Sequence, residues 1–182
     1  MQFRRWWLSL GLLGAALVAL TVVLAACDFG VFRSAFADVI YSIPTVTDEQ
    51  VLLDESGRFA DEGARVRSSF VTGTAGDLNG DGILDGVAVL ATNTGGSGTF
   101  YTVHAILGDA DGGFRDVASA FLGDRIAVPA VDLEGATIQV LILDRAAEEA
   151  FTVEPHIPAV VCLEFRDGEL VKLHAVDATP TA

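Results

Sequence analysis

Oxygen-bearing side chains recur at alternate positions in Asp77-Leu78-Asn79-Gly80-Asp81-Gly82-Ile83-Leu84-Asp85. They stand at positions 1, 3, 5 and 9, with glycine at 4 and 6. A hard divalent cation such as calcium takes six to eight oxygens, and alternate residues of a tightly curled loop can aim theirs at one ion. Asp77, Asn79 and Asp81 would offer side-chain oxygens. Ile83 would offer its backbone carbonyl, to which an apolar side chain is no obstacle. Asp85 would close the sphere directly or through water. Gly80 and Gly82 permit the backbone angles that the curl requires. The spacing therefore predicts a Ca2+ loop with a structural role; the competing reading is an acidic, Gly-rich turn.

This is the spacing of the first half of an EF-hand loop, but position 12, where an EF-hand carries a bidentate Glu, is Ala88. Gly86-Val87-Ala88-Val89-Leu90 reads as a buried strand, so a switch between two helices is not expected. Gly76 to Asp85 resembles the calcium loop of FG-GAP and VCBS repeats. That resemblance implies an ion that pins a β-hairpin and takes no part in catalysis.

Other chemistry-bearing residues are scattered. His104, His156 and His174 lack the spacing of a zinc site, which needs three or four ligands. They are expected to be structural or at the surface. Gly95-Gly96-Ser97-Gly98-Thr99 lacks the Lys and the following helix of a phosphate loop, so it reads as a flexible turn, and Ser97 has no nucleophile elbow around it. Cys162, in Val160-Val161-Cys162-Leu163, reads as a buried thiol without a catalytic partner. Glu148, Glu149 and Glu154 form an acidic loop. They are the carboxylates to which an alternative role, hydrolysis of an envelope polymer, would fall, although no nucleophile–base–orienter set is visible. Asp124-Arg125 and Asp144-Arg145 read as surface ion pairs.

The elements that must position the loop are strands. Runs rich in Val, Ile, Phe and Thr at Gln50–Leu53, Arg65–Val71, Gly86–Ala91, Thr99–Leu107, Arg115–Leu122, Ile126–Asp132, Ala136–Leu143, Ala159–Phe165 and Leu170–His174 alternate with short turn sequences. Asp167-Gly168 is a strong hairpin signal. Hairpins in series imply antiparallel pairing, because parallel strands need long crossovers. Pro129 marks its strand as an edge or as bulged. In Ala136–Leu143, Ile138, Val140 and Ile142 share one face, while Leu141 and Leu143 break the polar face opposite and suggest cover on both sides. The expected fold is mostly β: a single antiparallel, sandwich-like domain built of hairpins, with a short helix from Ser34 to Tyr41 and a calcium loop leading into a strand. No second copy of the loop occurs, so a repeat-built propeller is not expected.

The amino terminus reads as an address. Arg4-Arg5 precede an apolar run from Trp6 to Ala26, the architecture of an export signal. Leu24-Ala25-Ala26-Cys27 resembles a bacterial lipobox. The resemblance implies cleavage after Ala26, a diacylglyceryl-Cys27 and two acyl chains, which anchor a domain durably where one is marginal. An uncleaved transmembrane anchor is the competing reading. Arg4-Arg5 leaves both the general and the twin-arginine export routes open, and Asp28 resembles an inner-membrane retention signal. The predicted organisation is a signal at 1–26, a tether at 27–48, a β-rich domain at 49–176 and a disordered tail at 177–182. It places the domain on the outer face of the cytoplasmic membrane or at the cell surface, periplasmic in a two-membrane host.

Removing residues 1–26 leaves 156 residues with nine Lys and Arg against 25 Asp and Glu, a net charge of −16. That length suits one domain. The charge opposes nucleic-acid binding, which needs a basic footprint. It also opposes flat docking on anionic lipid, so the acyl chains must do the anchoring. With Cys27 acylated, only Cys162 remains, and no internal disulfide is expected.

Taken in order, GDLNGDG (76–82), GGSGTFY (95–101), LGDR (122–125) and DGELV (167–171) resemble a family of uncharacterised bacterial envelope lipoproteins. The resemblance implies one extracytoplasmic β domain with a lipid anchor and no defined activity. The expected function is a binding or structural protein of the envelope. Its partner, a protein or a polymer, is open, and an inhibitor or accessory subunit is a further alternative.

Overall fold

A computed structural model describes residues 36 and 38–177, with side chains as far as Leu173. The described chain is all β: eleven strands in three antiparallel sheets and no helix. β1 (Ile40–Ser42) and β2 (Gln50–Leu52) form a two-stranded ribbon. β3 (Arg58–Asp61), β4 (Val66–Gly76), β5 (Asp85–Asn93), β6 (Phe100–Gly108) and β7 (Phe114–Asp124) form a five-stranded meander in chain order. β8 (Ala127–Glu134), β9 (Thr137–Asp144), β10 (Ile157–Arg166) and β11 (Glu169–Asp177) form a second, four-stranded meander. The two meanders pack together, with β4 against β8 and β7 against β11.

Turn chemistry explains the connections. Asp167 and Gly168 both have positive φ, 53° and 82°, the pattern of a two-residue type I′ hairpin. β8 is an edge strand, and its register with β9 shifts between Ala127 and Ala130, the interval that contains Pro129. Proline supplies no N–H to a ladder, so an edge or a bulge is where it fits.

The core has two compartments, one on each face of the five-stranded sheet. Val87 and Val89 of β5 join Val103, Ala105, Ile138, Val140, Ile142, Val161 and Leu163 between the meanders. Ala88 and Leu90, pointing the other way, join Ile106 and an N-terminal layer of Phe36, Val39, Tyr41, Ile43, Val51 and Leu53. Successive strand side chains alternate faces, so a strand covered on both sides is apolar throughout. All four residues from Val87 to Leu90 are fully buried.

This N-terminal layer modifies the organisation expected from sequence. The stretch read as a tether up to residue 48 is packed from Phe36 onward: Phe36 is 2% exposed, and Tyr41 and Ile43 are fully buried. Of the helix expected over 34–41, residues 34, 35 and 37 lie outside the described residues, and its end, Ile40–Tyr41, lies in β1. β1 and β3, of three and four residues, were too short to register as periodic runs. The signal at 1–26, Cys27 and residues 178–182 also lie outside the described residues. Among the described residues no helix is long and apolar enough to cross a membrane.

Candidate cation loop

Residues 77–84 connect β4 to β5, two strands paired from Gly76↔Asp85 inward. The loop curls upon its own side chains. Asp77 Oδ1 accepts the N–H groups of Gly80 (2.7 Å) and Asp81 (3.1 Å), and Oδ2 accepts that of Gly82 (3.0 Å). Asn79 Oδ1 accepts Asp81 N–H (2.9 Å), and Asp81 Oδ1 accepts Ile83 N–H (2.7 Å). Asn79 Nδ2 donates to Asp81 Oδ2 (2.9 Å). Gly80 and Gly82 both sit at φ 81°, the left-handed region in which a Cβ is disfavoured.

Asp85 behaves differently from its three neighbours. It is fully buried. Its Oδ2 accepts Leu78 N–H (2.9 Å) and Asn79 N–H (3.3 Å), and its Oδ1 accepts Gly108 N–H (2.9 Å) at the end of β6. The carboxylate expected to complete a ligand sphere thus holds the two limbs of the loop together and ties them to β6. Gly108 is required for this approach, because a Cβ there would stand 2.3 Å from Leu84 O.

A test of fit follows from the lone pairs. An ionised carboxylate offers about four acceptor sites and an amide oxygen two. Asp77 uses three of them, Asp81 two and Asn79 one. All three side chains stand on the exposed side of the loop with acceptor capacity left over. Those spare acceptor sites fit a hard cation; Asp85 accepts as many N–H groups as Asp77 does, but from a fully buried position. Among the described residues no three His, Cys, Asp or Glu side chains converge as a ready metal cluster. A cavity of about 310 Å³ adjoins Asp77 to Gly80, and its far wall is Gly135, Ala136, Phe165 and Asp167 from the second meander.

A second polar cluster lies beneath the N-terminal layer. His104 is fully buried. Its Nδ1 lies 3.2 Å from both oxygens of Asp116, and its Nε2 lies 2.9 Å from Thr102 Oγ1. A carboxylate only accepts, so Nδ1 carries the proton. Asp116 also accepts Ser42 N–H (2.9 Å), and Ser119 Oγ donates to Ser42 O (3.2 Å). Tyr41 stacks edge-on against His104 at 5.2 Å and donates to Phe36 O (3.2 Å). Burial, followed by the Asp116 carboxylate, pushes its phenol well above the ordinary value of 10.0. Thr102, His104 and Asp116 have the order of a nucleophile, base and orienter. Thr102 has no exposed surface, however, so its hydroxyl meets no substrate. The cluster fastens β1 to the sheet. A cavity of about 410 Å³ opens beside it between β7, the β10–β11 turn and the end of β1.

The remaining expected residues are dispersed. Asn93 clasps the Gly-rich turn through Gly95 N–H, Gly96 O and Gly98 O. Asp124 pairs with Arg125 at 2.7 Å, and the Arg125 guanidinium lies 3.4 Å over the Phe151 ring. Arg145 donates to the carbonyls of Arg125 and Val153, tethering the 145–156 loop to the β7–β8 corner. In that loop Glu148 and Glu154 are exposed, while Glu149 accepts Ala146 N–H (2.9 Å) and lies 3.6 Å from His156. Cys162 is half-buried, less enclosed than its apolar neighbours suggested, because it lies on the outward face of β10. Sequence reasoning missed Asp116 and Gly108. Neither lies in a motif, and only strand pairing gives them partners.

Fold and loop together define a class: an antiparallel, all-β domain with a side-chain-curled acidic loop at the entrance to a doubly covered strand. No protein-family model matches the sequence, and no curated protein or solved structure is significantly similar to it.

Proposed function

We propose that this protein is a lipid-anchored, extracytoplasmic β domain whose 77–85 loop binds calcium structurally, and that it serves the envelope as a binding or scaffolding protein. The observation that carries the reading is the curl of the loop upon Asp77, Asn79 and Asp81, with Gly80 and Gly82 both at φ 81°. Asp77, Asn79 and Asp81 would hold the ion, with the Ile83 carbonyl. Calcium would neutralise carboxylates that otherwise repel one another and would fix the β4–β5 connection. The anchor reading rests on Leu24-Ala25-Ala26-Cys27 after an apolar run. An outward location would expose the loop to external calcium.

Two measurements test this. The full-length chain in detergent should melt higher in calcium than in chelator. A free concentration 100-fold above Kd adds about 2.7 kcal/mol. Equal melting temperatures in millimolar calcium and in chelator would refute calcium binding. Cys27→Ser should abolish metabolic labelling with a fatty acid, and persistent labelling would refute the lipobox.

A further inference from the structure

The cation loop and the N-terminal layer meet at one glycine. Gly86 follows Asp85 directly, and a Cβ on it would lie 2.1 Å from Phe36 Cζ and 2.6 Å from Cε1. The Phe36 ring therefore rests on the backbone of the residue that leaves the loop. Phe36 is 2% exposed and meets Phe114 edge-on at 5.5 Å. On the loop side of the same peptide, Asp85 holds Leu78, Asn79 and Gly108 through their N–H groups. A change in the path of residues 84–86 must move either Phe36 or the Asp85 bonds.

Among the described residues, Phe36 is the first contact of a strap that runs on through Leu53. Its carbonyl accepts from Val39 N–H (3.4 Å) and from the Tyr41 hydroxyl (3.2 Å). Ser42 is fastened to Asp116 and Ser119, and Val51 and Leu53 return the strap to the same apolar compartment.

We infer that loop order and strap docking are coupled through the contact of Phe36 with Gly86. A cation that fixes residues 77–85 tightens the strap over 36–54, and a docked strap raises the loop's affinity for the cation by the same factor. The inference rests on the calcium reading above. Its consequence is mechanical, because the strap lies between Cys27 and the domain. Between Cys27 and the docked strap stand residues 28–35, whose contour is at most about 28 Å at roughly 3.5 Å per residue. With the strap released, residues 28–54 extend that limit to about 95 Å. Calcium would thus lower, by the same factor, the fraction of molecules in which this longer reach is open.

Hydrogen–deuterium exchange on the full-length chain in detergent, in calcium or in chelator, tests the coupling. In the wild type, calcium should slow exchange in peptides spanning 77–86 and, by about fivefold or more, in those spanning 39–53. Asp77→Asn with Asp81→Asn should abolish both responses. Phe36→Ala should keep the loop response, lose the strap response and weaken the calcium Kd about fivefold. Slowing confined to 77–86 in the wild type would overturn the inference and leave the calcium reading standing. That comparison does not depend on any variant folding. An unchanged Kd in Phe36→Ala would also overturn it. No response in either segment would overturn the calcium reading and the coupling together.

Discussion

Asp85→Ala is the substitution whose cost the structure fixes most closely. The side chain is fully buried and accepts three backbone N–H groups. Two of these bonds, to Leu78 and Gly108, are 2.9 Å long. The third, to Asn79, is 3.3 Å long and ends at an exposed residue whose N–H can turn to water. Alanine leaves one buried donor, Leu78 N–H, and one half-buried donor, Gly108 N–H, without partners, at about 1–3 kcal/mol each, so the expected loss is about 4 kcal/mol. That is a large fraction of the 5–15 kcal/mol typical of a whole domain. With an unfolding entropy of roughly 2.1 cal/mol/K per residue over about 140 residues, the melting temperature should fall by about 14 °C. Asp85→Asn keeps one acceptor oxygen and should lose about half as much. Both variants are compared with wild type by calorimetry in excess chelator, so that cation binding contributes nothing. A melting temperature for Asp85→Ala within about 3 °C of wild type would show that the clamp does not hold the loop to β6.

Two further substitutions probe the packing around the clamp and the strap. Gly108→Ala places a Cβ 2.3 Å from Leu84 O, a backbone atom that cannot swing away, and should cost about 2–3 kcal/mol by denaturant titration. Gly112→Ala, at φ 85° with nothing within 4 Å, should cost only about 1 kcal/mol, and equal losses would refute the steric reading. The Tyr41 phenol is raised in the fold, so the unfolded chain releases its proton first. Stability is complete below pH 10 and falls as the pH rises above it, by up to about 1.4 kcal/mol per unit from this group. Tyr41→Phe should flatten the alkaline limb of the stability–pH curve, leaving the smaller share of Tyr101, and an unchanged slope would refute the assignment.

Strand pattern and turn chemistry were local, and they were legible. Val87 to Leu90 announced a strand covered on both faces, Asp167-Gly168 announced a two-residue hairpin, and Pro129 announced an edge. Each rests on backbone angles or on side-chain alternation within a few residues. The third layer was not legible. Phe36, Tyr41 and Ile43 are spaced by neither a helical nor a long strand repeat, and Pro44 suggested an ending. Their burial exists because Ala88, Leu90 and Ile106 offer an apolar face for them to cover.

The division runs through the loop itself. Asp77, Asn79, Asp81 and the two glycines determine its curl from sequence, because every hydrogen bond among them closes within five residues. The role of Asp85 was decided by tertiary structure. Its partner Gly108 is 23 residues away and reaches it only when β5 and β6 pair. Phe36 on Gly86 and Asp116 on His104 are of the same kind, contacts between residues whose types show no preference for one another until the sheet brings them together. Sequence alone set the composition, the turns and the acidic loop. The packed sheets decided which acid faces outward and which one holds the fold.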